Sequence, residues 1–225
     1  MKYYIASPGF NPTQLAKIKS IEAELDRLGA DYYSPFKNGD NLHIGDDMDL
    51  NKIQIKHIFD KNIEEINSCD KMIAIVEDFD KGTAFEIGYF AASRGLDSLN
   101  RSLLLIGELS EEVAKVTEEL IKSSNLYKLH PEIDCIDITE KNLETYIHIG
   151  LSYGLNRKVV TYSSEPLESN VMTACATYVH FTEDGTYGSF NKFRNEFIKD
   201  QKGEAKLTLG KLFSLSPIKF FTKVE

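Results

Sequence analysis

"KMIAIVEDFDKGTAFEIGYFAASRG" spans Lys71–Gly95. Its opening, KMIAIVE, is an almost continuous apolar run, the pattern of a strand covered on both faces. A short polar loop follows, and then a helix to about Arg94. A buried strand feeding a helix through a short loop is the repeating unit of an α/β fold. The loop and first helical turn carry Asp80, Gly82, Thr83 and Glu86. Two readings of Glu86 follow. Thr83-Ala-Phe-Glu86 fits S/T-x-x-E, a capping box. Alternatively, Glu86 is a carboxylate held ionised near a positive helix end. With Asp80, it would then flank a bond to a sugar, one group attacking and the other delivering a proton.

The flanks repeat the pattern. KYYIAS opens the chain as a short strand, and Pro8, Gly9 and Pro12 make a loop. Leu15, Ile18, Ile21, Leu25 and Leu28 then recur at helical spacing, with Gly29 as the stop. DYYSPF is a second short strand. Residues 37–52 are polar and rich in Gly, Asn and Asp, a loop signature. Ile55, Ile58, Phe59, Ile63 and Ile66 mark another helix, and RSLLLIG another strand. The order β-α-β-α-β-α-β predicts a parallel sheet with helices on both sides. Ligands in such sheets sit at the carboxyl ends of strands, which gathers the loops after Ile5, Tyr33 and Val76. A further helix is expected at about 110–123. LETYIHIGLSYGLNRKVVTYSSE then repeats the helix-to-strand pattern. Within it Ile147-His-Ile-Gly150 echoes Phe85-Glu-Ile-Gly88, with His148 in the place of Glu86. A helix is expected from Ser189 to Lys199, and the apolar ending LFSLSPIKFFTKVE suits docking on the body or on a neighbouring subunit.

The bulk properties narrow the function. The 225 residues suit one elaborated α/β domain. The formal charge of −9 and the lack of a Lys/Arg stripe argue against a nucleic-acid polymer as partner. Cys69, Cys135 and Cys175 are widely spaced and form no ligand pattern, so they read as free buried thiols of a cytoplasmic protein. No run of about 18 apolar residues marks a membrane span. No metal or organic cofactor motif is present: GDDMD lacks the rest of a calcium loop, and SPGF is too short for a dinucleotide fingerprint.

Taken in order, these pieces resemble the nucleoside 2-deoxyribosyltransferase family. YYIASPGF is similar to its first strand and loop, and YYSPFKNG to its second strand with its proline. Asp80 to Glu86, with Gly82 and Gly88, is similar to its Asp-x-Gly-x-x-x-Glu-[Ile/Leu]-Gly signature. Asn170-Val-Met172 is similar to a downstream Asn-Leu-Met element. The match is good over residues 2–95 and loose over 144–180.

The resemblance implies a Rossmann-like or flavodoxin-like parallel sheet flanked by helices, with an inserted αβ segment at about 108–143. It places the family domain at 1–180 and an extension at 181–225. Glu86 would form a deoxyribosyl ester with retention, Asp80 would hold the base and help protonate it, and Tyr4 would orient Glu86. Glu86 is expected to stay ionised while the Asp80 carboxyl is raised. Ser7, Phe10, Phe36, Asn62, Gly82 and Asn170 are the candidate substrate contacts, with Tyr89 better read as core. In the family Asn170 would come from an adjacent subunit, which implies a homo-oligomer. The partners would be a 2-deoxynucleoside and a free nucleobase, as in nucleotide salvage, with no cofactor. A nucleoside or nucleotide hydrolase and an inactive nucleoside-sensing domain are the alternatives. Three features depart from the pattern. Asn62 stands where many members carry an aspartate, extra residues separate Glu86 from Asn170, and Glu225 does not match the terminal carboxylate of compact members.

Overall fold

A computed structural model describes residues 1–39, 52–77, 79–94, 96–126, 133–163, 170–182 and 187–188. The 43–50 loop with His43 and GDDMD, His130, the expected 189–199 helix and the C-terminal tail lie outside the described residues.

Strand β1 (Lys2–Ala6) leads to helix α1 (Pro12–Arg27). Asn11 caps α1, its side chain accepting from the Gln14 amide, and Pro12 takes the first turn, where its missing N–H is not needed. Gly29 has φ of 64°. Its amide donates to Asp26 O and that of Ala30 to Leu25 O, the paired bonds of a Schellman stop. Strand β2 (Asp31–Tyr33) and a single turn, α2 (Pro35–Asn38), follow. Then come α3 (Lys52–Ser68), β3 (Lys71–Ile75), α4 (Lys81–Ala92), α5 (Leu96–Ser102) and β4 (Leu103–Ile106).

These strands form a parallel sheet in the order β2-β1-β3-β4. Period-two alternation divides its faces. Ile5 and Ile73 pack with Leu25 of α1 on one face. Tyr4, Ala6, Met72 and Ala74 join Phe59, Ile66 and Phe85 of α3 and α4 on the other. The chain therefore leaves β1 and β3 toward opposite faces. This opens a crevice at their carboxyl ends, the switch point of a flavodoxin-like order.

The remaining elements are α6 (Ser110–Leu126), β5 (Ile133–Asp137), α7 (Leu143–Gly154), β6 (Lys158–Ser163), α8 (Val171–Ala176), β7 (Thr177–Thr182) and β8 (Tyr187–Gly188). They build a second sheet, β5-β6-β7-β8, parallel except for its last pair. The architecture is α/β, with parallel strands flanked by helices. β5, which falls within 108–143, is the first strand of the second sheet. Buried side chains of α4 and α7, including Phe85, Ile87, Ile147 and Ile149, join the two layers into one core.

Candidate active site

Helix α4 decides between the two readings of Glu86. Its N-cap is Asp80, whose Oδ2 accepts from the Thr83 amide at 2.6 Å and the Thr83 hydroxyl at 2.7 Å. With Lys81 first, Glu86 is the sixth helical residue, beyond the four amides a helix start leaves unpaired. The capping-box reading is therefore corrected. A carboxylate at Thr83 + 3 has nothing to cap here, because the cap lies three residues earlier.

Glu86 instead turns toward β1 and accepts a hydrogen bond from Tyr4 at 2.7 Å. It is 6 % exposed, and Tyr4 on β1 is fully buried. Tyr4 stacks on Tyr33 of the neighbouring strand with ring centroids 5.8 Å apart, which fixes the phenol that faces Glu86. The expectation that Glu86 stays ionised is also corrected. Burial raises its pKa to about 8, against the lowering effect of the Tyr4 bond, and the nearby Asp80 charge adds to the rise. The helix end is too far along the chain to offset that desolvation, since its field fades within the first turn. Burial raises the Tyr4 phenol well above its ordinary range, and the Glu86 charge adds to this.

Gly82 lies between two other candidates. A Cβ built on it would stand 3.3 Å from Asp80 Oδ2 and 3.5 Å from Asn170 Nδ2. Asn170 is the N-cap of α8, its Oδ1 accepting from the Thr173 amide at 3.1 Å and the Thr173 hydroxyl at 3.2 Å. Those bonds assign the amide, leaving Nδ2 on the side of Gly82. Asn170 thus reaches Gly82 from within the same chain. Asn62 on α3 is tied to the same group, its Nδ2 lying 3.9 Å from Met172 Sδ.

Ser7, just past β1, has a buried hydroxyl with no hydrogen-bond partner among the described residues. A buried unpaired hydroxyl costs about 1–3 kcal/mol, a cost that a ligand atom would remove. Ser34, just past β2, shares this condition and is fully buried; the sequence reading missed it because a lone serine before a proline looks like an ordinary turn. Phe36 lies over Gly9 of the loop after β1 and is 39 % exposed. Phe10 is 67 % exposed, and its amide donates to Gln14 Oε1. Tyr89 packs on Phe85, their rings stacked at 6.3 Å, so it belongs to the core. His57 is exposed on α3. His180, for which the sequence offered no partner, sits 2.9 Å from the Thr161 hydroxyl.

Among the described residues, no group of three or more His, Cys, Asp or Glu could hold a metal ion, and no helix is long and apolar enough to cross a membrane.

The family model for nucleoside 2-deoxyribosyltransferase matches residues 3–96. No curated protein sequence matches the chain. A solved structure described as the 2-deoxyribosyltransferase of Bacillus psychrosaccharolyticus is similar at 19 % identity. That match covers 87 % of this chain and 92 % of the other with a TM-score of 0.34, a likeness too loose to carry an argument. The family match spans β1 through α4, the segment that holds Tyr4, Asp80 and Glu86.

Proposed function

We propose that the protein transfers 2-deoxyribose between nucleobases, with Glu86 as nucleophile. One observation carries this reading: Glu86 is buried, freed from capping by Asp80 and held by Tyr4. Buried carboxyl groups with displaced pKa values concentrate where chemistry is done.

In the first half-reaction the ionised fraction of Glu86, which grows as the pH nears 8, attacks the anomeric carbon through one oxygen. The N-glycosidic bond breaks and its electron pair leaves with the base. Positive charge builds on the sugar as the bond lengthens, so a desolvated carboxylate beneath it gains more in the transition state than in the ground state. Lacking a 2-hydroxyl, a deoxy sugar bears that charge more readily. Asp80, fixed by its bonds to Thr83, faces the departing base and helps deliver its proton. Ser7 and Asn170 supply a hydroxyl and an amide to the bound nucleoside, and Asn62 lies behind them. In the second half-reaction another base attacks the anomeric carbon of that ester, the bond from this carbon to the Glu86 oxygen breaks, Asp80 takes up the proton of the incoming base, and configuration is retained. Water in place of that base would give hydrolysis.

The test is product analysis with deoxyinosine, with and without free adenine. Transfer gives deoxyadenosine only when adenine is present. Hypoxanthine and free deoxyribose at the same rate without adenine would make the protein a hydrolase. Nucleoside binding without turnover would make it a sensor.

A further inference from the structure

The two sheets are joined by a pair of helices that match each other. β5 begins and ends 62 residues after β3 (Lys71 to Ile133, Ile75 to Asp137). α7 is displaced from α4 by the same 62 residues at both ends (Lys81 to Leu143, Ala92 to Gly154). The caps repeat as well. Asp80 accepts from the amide and hydroxyl of Thr83, and Asn142 accepts from the amide and hydroxyl of Thr145.

The contacts between these helices are reciprocal. A Cβ on Gly88 would overlap Ile147 O, and one on Gly150 would overlap Phe85 O; under the same displacement each contact maps onto the other. Farther along, a Cβ on Gly154 would come within 2.6 Å of Ala92 Cβ, again a pair of equivalent positions. Because the numbers rise together, the helices run parallel. Residue i meeting j while the counterpart of j meets the counterpart of i is the signature of an isologous two-fold interface. Here it lies inside one chain.

The matching units differ in their polar centres. Glu86 is held by Tyr4 of the first sheet, whereas His148, its counterpart, is spent on Asp134. The Asp134 carboxylate accepts from His148 Nε2 at 3.2 Å, Arg157 Nη1 at 3.3 Å and the Ser152 hydroxyl. Burial alone would raise the Asp134 carboxyl, but these partners hold it at about 2. The second unit thus carries a closed ion-pair network where the first carries the nucleophile. What it adds to the first unit is α8, with Asn170 at Gly82.

We propose that the second αβ unit takes the place of a partner subunit: it docks on the first through a pseudo-two-fold α4–α7 interface and supplies Asn170 in cis, so that one chain holds one complete site. This rests on the transferase reading. The homo-oligomer expected from the family then loses its catalytic reason, since no second copy is needed to deliver Asn170.

Two measurements test the pairing. Glu86→Gln is mixed with Asn170→Ser, which keeps a capping oxygen for Thr173 but removes the amide. Asn170→Ser alone should lose about 10- to 100-fold in kcat/KM, the range for one hydrogen bond to ligand. The mixture, after long co-incubation, should show only the average of its two components. Restoration toward a quarter of wild-type turnover would mean that the sites form between chains and would overturn the proposal. The second measurement needs no activity. Gly82→Cys with Asn170→Cys is oxidised against a wild-type control and run without reductant. A cross-linked chain that still migrates at 25.5 kDa supports assembly in cis, whereas a band at twice that mass overturns it. Wild type without turnover would refute the transferase reading alone, and the cross-link would still decide the pairing.

Discussion

Glu86→Gln is expected to lose transfer activity by about 1,000-fold or more, the scale for removing a covalent nucleophile, and to melt at a higher temperature than wild type at pH 8. The second effect follows from linkage. The Glu86 carboxyl is raised from 4.5 to about 8 in the folded protein, so between those values the folded state keeps a proton that the unfolded state has released. Stability is then highest below pH 4.5 and falls as pH climbs toward 8. The full cost, reached above that range, is roughly 4–5 kcal/mol from a displacement of this size. The glutamine side chain of the variant is neutral at every pH and still accepts from Tyr4, so it escapes that loss. Thermal melts of both proteins from about pH 5 to 9 should nearly coincide at the acid end and separate by about 10 °C at the alkaline end, given about 2–4 °C per kcal/mol at this chain size. Parallel curves would show that Glu86 is not buried as described. A nucleophile kept at a cost to stability is a recurrent trade in enzyme sites.

Gly88→Ala and Gly150→Ala should each destabilise the protein by about 3 kcal/mol or more, an overpacking effect at a backbone contact. In an isolated helix the same change would stabilise by about 1 kcal/mol, so the sign itself is diagnostic. The new methyl would strike a carbonyl of the facing helix, at Ile147 or Phe85. Backbone, unlike a flexible side chain, cannot swing aside. Both substitutions open the same interface, so the double variant should lose less than the sum. Denaturant titration measures this, and a neutral or stabilising result at both positions would contradict the close α4–α7 contact.

Much of the first sheet was legible because alternation along short strands is local information. KYYIAS and KMIAIVE announce their burial, and the observed ends of α1 and α3 fall within a residue or so of the pattern. The cap of α4 was not legible. Asp80 and Thr83 are both good capping residues at offsets that suit a helix start, and only Tyr4, 82 positions away in the sequence, shows where Glu86 points. The same distance hid its pKa, since burial is a tertiary property that no motif carries. The echo of FEIG in IHIG was visible, but four residues do not define a fold unit. The constant 62-residue displacement emerges only when strand and helix ends are known. Asn170 was found by resemblance, and its source within the chain depends on a second sheet that periodicity could not separate from the first.

The most direct test of the central claim is to stop wild-type turnover with acid in the presence of deoxyinosine, digest the protein, and weigh the peptide that contains Glu86. A fraction of that peptide should be heavier by one deoxyribosyl group, discharged when adenine is added before quenching and absent from Glu86→Gln. A turning-over enzyme with no adduct under conditions where the second half-reaction is limiting, or with its adduct on another residue, would contradict that claim.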